Sequence, residues 1–486
     1  MIYRLRPYQE ECVKSISDYI NSDRHDPVLV IGPVGCGKSI LIAEAARLMG
    51  DKTLVLQPSR ELLIQNYCKL TSYGIPATIY SASCGKKELS NMIYATLGSI
   101  KKVVGQLKEM GIRNVLIDEA HAGYSPEDGS EFMTFMNELK PRKVIGFTAT
   151  PCRLKNMSIG QTSYSQLNFI TRMRPVYFKN LIHVIQVEEM IRQGFWTPLK
   201  YETWDFNGDA LKLNSNGSEY TAESISEAVR KNGLNNLILR RLMVLKDVCR
   251  SILVFMDSVE SCNTAAEWMN AKICAGMAEV VHGGTPKKQR EAIVEGFKSG
   301  KTKVVFNYSA LGTGFDHPGL DCVIVGRPTF SFSSFYQWLG RAVRIKDGKD
   351  SALVVDCCNN SSRFGDIRKL SIENYKGYGW GMFIGDKLIT NIPMGDKVTK
   401  TDLDIKAAKK DRRRGLAQGV TAAPVPGRPD HPLGSTVMTF GKYCGWMFHS
   451  IPVSYFKFIN ETFDWSNDRN REIKEYIDFL IKNNRL

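Results

Sequence analysis

Gly32-Pro-Val-Gly35-Cys-Gly37-Lys38-Ser39 puts three glycines ahead of a lysine and a hydroxyl. Glycines let consecutive backbone N–H groups wrap a phosphate without side-chain clashes, and a helix starting at Lys38 would aim its positive end at the same group. The apolar run Val28–Ile31 precedes the loop and a helical pattern, Ile40–Met49, follows it, which is the context that gives the motif its meaning. In that context Lys38 reaches the outer phosphates of a bound nucleoside triphosphate and Ser39 ligates Mg2+. Asp118-Glu119-Ala120-His121 closes a second apolar run, Val115–Ile117. Asp118 there can hold Mg2+, Glu119 can orient and polarise an attacking water, and His121 can couple the site to a neighbouring loop. Gln337-Trp-Leu-Gly340-Arg341-Ala-Val-Arg344 sets two arginines three positions apart, the spacing of one helix face. A planar, permanently charged guanidinium suits the γ-phosphate. With no second P-loop in the chain, the later half has to supply such groups rather than another nucleotide cradle.

These groups need rigid positioning. Val28–Ile31, Thr53–Leu56, Val115–Ile117 and Val144–Phe147 are short, β-branched runs alternating with helical patterns, and the rhythm returns in Ile252–Phe255, Val304–Phe306, Cys322–Val325 and Leu353–Val355. Alternation of this kind predicts two parallel sheets covered by helices. Residues 157–199 read as the crossing between them, with a helix over Ile185–Gly194 that ends at glycine.

Bulk properties narrow the partners. The 486 residues are 43% hydrophobic, enough for sizeable cores, and 65 Lys plus Arg against 50 Asp plus Glu leave a net charge of +15. That excess favours a polyanion, nucleic acid before membrane. The twelve cysteines form no CxxC pair and have no zinc-ligand spacing with histidine, so they read as small core residues in a reducing compartment. The N-terminus has no signal-peptide pattern and no apolar run reaches ~18 residues, so a soluble, cytoplasmic location in a bacterium or phage-infected host is expected.

Taken in order, these motifs resemble those of superfamily-2 helicases. Arg6-Pro7-Tyr8-Gln9 resembles the adenine-reading Q element, Pro58-Ser59-Arg60-Glu61-Leu62 motif Ia, Thr96 motif Ic and Asp118–His121 a DEAH motif II. Thr148-Ala149-Thr150-Pro151 is similar to motif III, Ser251–Ser258 to motif IV, Ala310–Asp316 to motif V and Gln337–Arg344 to motif VI. The resemblance implies two RecA-like α/β domains in tandem, 1–198 and 199–394, with ATP and Mg2+ as cofactors. It implies that Gln9 pairs with adenine, with Tyr3 or Arg4 as stacking partner. It assigns Gly32, Gly35, Gly37, Lys38, Ser39, Asp118, Gly314 and Asp316 to the nucleotide, and Lys38, Glu119, Gln337, Arg341 and Arg344 to turnover. Pro58, Ser59, Arg60, Thr96, Asp257, Ser258 and Ser309 fall where the family holds nucleic-acid backbone. Thr313 stands where the family often has Glu or Arg. The run from Gly314 to Arg344 resembles the DEAH branch that includes Ssl2-like DNA repair helicases and phage branch-migration helicases.

The implied partner is DNA, forked, branched or partly single-stranded. An RNA helicase, a duplex translocase that never separates strands and a non-catalytic nucleic-acid scaffold remain as alternatives. Residues 395–436 read as a basic Pro/Gly linker, with Lys409, Lys410, Arg412, Arg413 and Arg414 either solvated or touching phosphates. Residues 437–486 read as a small accessory module. Thr439-Phe440-Gly441-Lys442-Tyr443-x-Gly445 and Ile451-Pro452-x-x-Tyr455-Phe456 are similar to a module of phage proteins and some bacterial exonuclease tails. Either strand binding or a protein contact suits it.

Overall fold

The computed structural model describes residues 4–159, 162–310, 315–407, 433, 436, 438, 443, 446–462, 465 and 471–483. They form two compact units, Met1–Lys400 and Thr401–Leu486.

The first unit holds two mostly parallel sheets. The strands of the first are β1 (Val28–Ile31), β2 (Thr53–Leu56), β3 (Thr78–Ser81), β4 (Lys86–Lys87), β5 (Met92–Ala95), β6 (Asn114–Ile117) and β7 (Lys143–Thr148). After a hairpin of β8 (Cys152–Ile159) and β9 (Thr162–Phe169), β10 (Asn180–Val184) joins the same sheet. The order is β10-β1-β7-β6-β2-β5-β3-β4, and only β3 and β4 pair antiparallel. The second sheet comprises β11 (Leu199–Thr203), β12 (Ile252–Phe255), β13 (Ala278–His282), β14 (Val304–Tyr308), β15 (Cys322–Val325) and β16 (Ala352–Asp356). Its order is β11-β16-β15-β12-β14-β13, parallel throughout. Helices cover both faces of a parallel sheet, so its inner strands are apolar at every position and not at alternate ones. The VLVI, TLVL, ILVF and CVIV strands are buried along their whole length for that reason.

Three features depart from expectation. The stretch 157–199, expected as a crossing with one helix, also contributes most of a long hairpin and an edge strand. The helix inside it is Val187–Arg192, shorter at both ends than the periodicity indicates. Residues 370–399 build a separate antiparallel sheet from β17 (Leu370–Tyr375), β18 (Gly379–Ile384), β19 (Lys387–Leu388) and β20 (Val398–Thr399). The segment between β19 and β20 clasps the hairpin: Asn391 N–H donates to Leu167 O at 2.7 Å, and Asn391 Oδ1 accepts from Phe169 N–H at 3.0 Å.

The second unit packs helices Val453–Thr462 and Arg471–Lys482. Ile473, Tyr476, Ile477 and Leu480 recur at helical spacing and bury against Phe448, Phe456 and Ile459. The basic cluster Lys409–Arg414, and Thr439, Phe440, Gly441, Lys442 and Gly445 of the module motif, lie outside the described residues.

One lysine has a structural role that its exposed-looking context hides. Lys143, at the start of β7, is 4% exposed, and its ammonium donates to the carbonyls of Tyr19, Ser22 and Arg24 at 2.9, 2.7 and 2.6 Å. It thereby closes the C-terminal end of the helix Pro7–Asn21. Lys143→Met leaves those carbonyls without their donor and should cost about 2–3 kcal/mol in denaturant unfolding of the first unit. A change under ~0.5 kcal/mol would show that water replaces the ammonium fully.

Candidate active site

β1 delivers the chain into the phosphate loop, and β6 delivers Asp118 and Glu119 beside it. Gly35 and Gly37 adopt φ of +81° and +84°, a region that favours glycine. A side chain at Gly37 would also meet the Gln9 amide at 2.6 Å. Glu119 takes φ +47°, turning the chain sharply as β6 ends. Asn66 donates to Asp118 Oδ2 at 2.8 Å and Glu119 N–H to Asp118 Oδ1 at 2.9 Å.

These residues wall a cavity of about 310 Å³ between the two sheets, within the range of small-molecule sites. From the first sheet come Gly35, Gly37, Lys38, Ser39, Asp118 and Glu119; from the second come Asp316, Gln337, Gly340, Arg341 and Arg344. The separated sequence motifs therefore meet in one place. The approach is close: a Cβ on Gly340 would lie 2.5 Å from Val34, and one on Gly35 would lie 3.1 Å from Val343.

The electrostatics follow from burial. Lys38 Nζ lies 3.9 Å from Glu119 Oε1. Burial opposes the Lys38 charge, but the carboxylates of Glu119 and Asp118 outweigh it and hold its pKa above the usual lysine value. Burial, and then Glu119, push the Asp118 carboxyl up. Burial and then Arg344 push Arg341 down to about 9, still charged at neutral pH. Arg341 donates to Phe315 O at 2.8 Å, and Arg344 pairs with Asp316. The all-oxygen set of Ser39 and Asp118 suits Mg2+, a hard cation that commonly keeps waters and phosphate oxygens as its other ligands. A cation there would relieve the cost of ionising Asp118.

His121 joins the two halves. Burial lowers its pKa, so the ring is neutral and relays hydrogen bonds. Nδ1 lies 2.8 Å from Thr148 Oγ1 and 3.4 Å from Glu119 Oε2. Nε2 lies 3.2 Å from Thr150 Oγ1 and 3.3 Å from Ser333 Oγ on the helix Phe332–Leu339 of the second sheet.

Several expectations change. Arg341 and Arg344 do not lie on a helix face: the helix ends at Leu339, and Gly340 turns the chain into a loop that carries both arginines. Gln9 does not line the cleft. Its Oε1 accepts from Arg6 N–H at 3.0 Å and its Nε2 donates to Cys36 O at 2.8 Å, so the amide braces the phosphate loop from behind. Gly32, at the end of β1, lies behind the cleft too; a Cβ there would meet Cys36 Sγ at 2.6 Å. Asp257 is 6% exposed and accepts from Ser226 Oγ at 3.1 Å. A buried carboxylate is poorly placed to hold a phosphate backbone. Ser59 and Ser258 cap the helices Arg60–Thr71 and Val259–Lys272 by accepting from Leu62 and Ser261 N–H. Pro58 and Arg60 flank the first cap after β2. Thr96 follows β5 with its hydroxyl on Ser81 and Ser99, and Ser309 follows β14, exposed, at φ +55°. Tyr3 and Gly314 lie outside the described residues. Arg4 is exposed, whereas Arg6 lines the cleft and stacks on Phe195, its guanidinium 4.6 Å from the ring centroid. Phe195 carries no motif, so only the fold reveals it.

Residues 2–153 match the family model described as type III restriction enzyme, res subunit, and residues 235–346 match that of the helicase conserved C-terminal domain. The two matches fall one on each of the two RecA-like, parallel-sheet parts of the chain. It is similar to a 51.5 kDa protein of a Lactococcus phage, 25% identical over 68% of this chain and 65% of that one. It is also similar to a Saccharomyces cerevisiae protein named as a candidate ATP-dependent helicase, IRC3, at 23% identity over 74% of this chain and 52% of that one. The match thus spans between half and two thirds of those relatives. The ATP-dependent Type ISP restriction-modification enzyme LlaBIII, solved bound to DNA, shares the fold with a TM-score of 0.55 and 15% identity over 87% of this chain and 31% of that one. Among the described residues no helix is long and apolar enough to cross a membrane.

Gly340 has ordinary helical φ, so a substitution there tests contact alone. Gly340→Ala should leave the melting temperature within a few degrees of the parent while ATP turnover falls ~10-fold, the size of effect a small misplacement in a site produces. Unchanged turnover would show that the two loops need not touch.

Proposed function

We propose that this protein is an ATP-dependent DNA helicase or translocase that couples hydrolysis to strand separation or branch migration during replication, recombination or repair. The observation that carries this reading is the shared cleft, which joins Lys38, Asp118 and Glu119 from one sheet to Arg341 and Arg344 from the other. Lys38 and the backbone of the phosphate loop hold the triphosphate. Glu119 orients a water and takes its proton as oxygen attacks the γ-phosphorus, and the bond to the bridging oxygen breaks to leave ADP and phosphate. Arg341 and Arg344 stabilise the charge that builds on the transferring group. Ser39 and Asp118 would hold Mg2+, which neutralises charge on the phosphate oxygens when bound.

Motion requires that the two nucleotide states grip nucleic acid differently. Ser59 and Ser258 begin helices at the carboxyl ends of β2 and β12, and helix N-termini suit phosphate. With Pro58, Arg60, Thr96 and Ser309 they form the proposed backbone contacts. The excess of positive charge supports a polyanionic partner. DNA is favoured over RNA because LlaBIII, of the same fold, is a DNA-bound enzyme.

Lys38→Ala and Glu119→Gln should abolish DNA-stimulated ATP hydrolysis while DNA binding persists in a filter or anisotropy assay. Parental hydrolysis rates in either variant would sink the reading. Arg344→Ala should still bind ATP but lose turnover by ~10³-fold or more; lost affinity with normal turnover would refute its role. ATP-dependent unwinding across forks, four-way junctions, duplexes and RNA hybrids then assigns the substrate. Activity confined to RNA, or triplex displacement without strand separation, would replace the proposed activity.

A further inference from the structure

Phe195-Trp196-Thr197 occupies the connection between the helix Val187–Arg192 and β11, where the chain passes from the first sheet to the second. Its three side chains each grip a different part of the cleft. Phe195 lines the cleft wall, with Arg6 over its face. Trp196 is 2% exposed, and its indole N–H donates to Val34 O of the phosphate loop at 2.8 Å. Thr197 is also 2% exposed; its N–H donates to Val343 O at 2.8 Å and its hydroxyl to Arg344 O at 2.7 Å. Arg344 O accepts a second bond from Lys349 Nζ at 2.8 Å, so the backbone of the arginine loop is fixed from two sides.

These contacts do not follow from any recognised motif, and their geometry carries a consequence. Trp196 and Thr197 are covalent neighbours, so the phosphate loop and the arginine loop are linked by one peptide unit and three hydrogen bonds. A peptide unit is stiff, and a hydrogen bond holds its partners within a narrow range of distances. We propose that Phe195-Trp196-Thr197 is a coupling strap: it sets the position of the Arg344 backbone from the position of the phosphate loop, so that filling the cleft and aligning the arginines are one event. Thr197 and Trp196 are positioning residues, acting through Arg344 and Val34. The inference rests on the ATPase reading above.

Thr197→Val keeps the β-branched shape and removes the bond to Arg344 O; Thr197→Ser keeps the hydroxyl. Thr197→Val should lower kcat for ATP hydrolysis ~10-fold, the loss expected for one buried hydrogen bond, with KM for ATP changed less than ~2-fold. Thr197→Ser should restore kcat to within ~2-fold of the parent. Trp196→Phe, which keeps an aromatic ring but lacks the N–H, should reproduce the kcat loss at constant KM. If the parental chain hydrolyses ATP and Thr197→Val turns over at the same rate, the strap is refuted. Equal losses in the Ser and Val variants, or a loss that appears in KM alone, refute it too. If the parental chain hydrolyses no ATP under any nucleic-acid condition, the ATPase reading fails instead. Circular-dichroism melts of the variants identify any that fail to fold, and Trp196→Phe then provides the deciding comparison.

Discussion

Charges of both signs crowd into one cleft between two sheets, and although Lys38 pairs with Glu119 and Arg344 with Asp316, each sheet brings more positive groups than negative ones. Arg6, Lys38, Lys69, Arg341 and Arg344 share about 310 Å³ with Asp118, Glu119 and Asp316. Burial raises the cost of ionising Asp118 and depresses Arg341. A triphosphate with its divalent cation satisfies both demands, because the anion meets the guanidinium and ammonium groups while the cation meets the carboxylate. Lys38 and Glu119, 3.9 Å apart, hold one another until such a ligand separates their roles. The cleft therefore has a built-in preference for being filled, and filling it requires both sheets at once.

That requirement explains why small residues sit where the halves touch. Gly340 admits Val34 at a distance that no Cβ would permit, and Gly35 admits Val343 at one that a Cβ would make tight. His121 adds a polar link across the same seam through Thr150 and Ser333. On the proposed function, a second-sheet arginine reaches the nucleotide only if the seam is tight, which makes catalytic competence and domain closure the same condition. Free energy from hydrolysis can then change the relative preference of two domain arrangements.

The parallel strands were legible because a strand covered on both faces must be apolar throughout, and VLVI, TLVL, ILVF and CVIV have no other comfortable place. The phosphate loop and the Asp118-Glu119 strand end were legible because glycine and acidic residues follow such runs at fixed offsets. The hairpin of β8 and β9 was not, since CRLKNMSI and TSYSQLNF are largely polar and lack the alternation of a one-sided strand. The small sheet of β17 to β20 escaped too, because LSIENY and GWGMFI do not alternate throughout and β19 and β20 are two residues long each. The end of the helix before Arg341 was invisible to spacing, because Gly340 permits either a turn or a further helical residue. Gln9 was assigned a ligand by resemblance, whereas hydrogen-bond geometry gives its amide to the phosphate loop. Phe195, Trp196 and Thr197 lie far in sequence from what they touch, and no local pattern encodes a contact of that range.

On the proposed function, the second-sheet arginines act on a nucleotide held by the first sheet. The most direct measurement compares the affinity of ADP with that of ADP–aluminium fluoride, a mimic of the transferring phosphoryl group, in the full chain with Mg2+ and DNA. Groups that act in the transition state bind its mimic preferentially, by ~10²-fold or more. The parental chain should show that preference, and replacing Arg341 and Arg344 together by alanine should erase it while ADP affinity stays near the parental value. A preference that survives the double replacement would contradict the account.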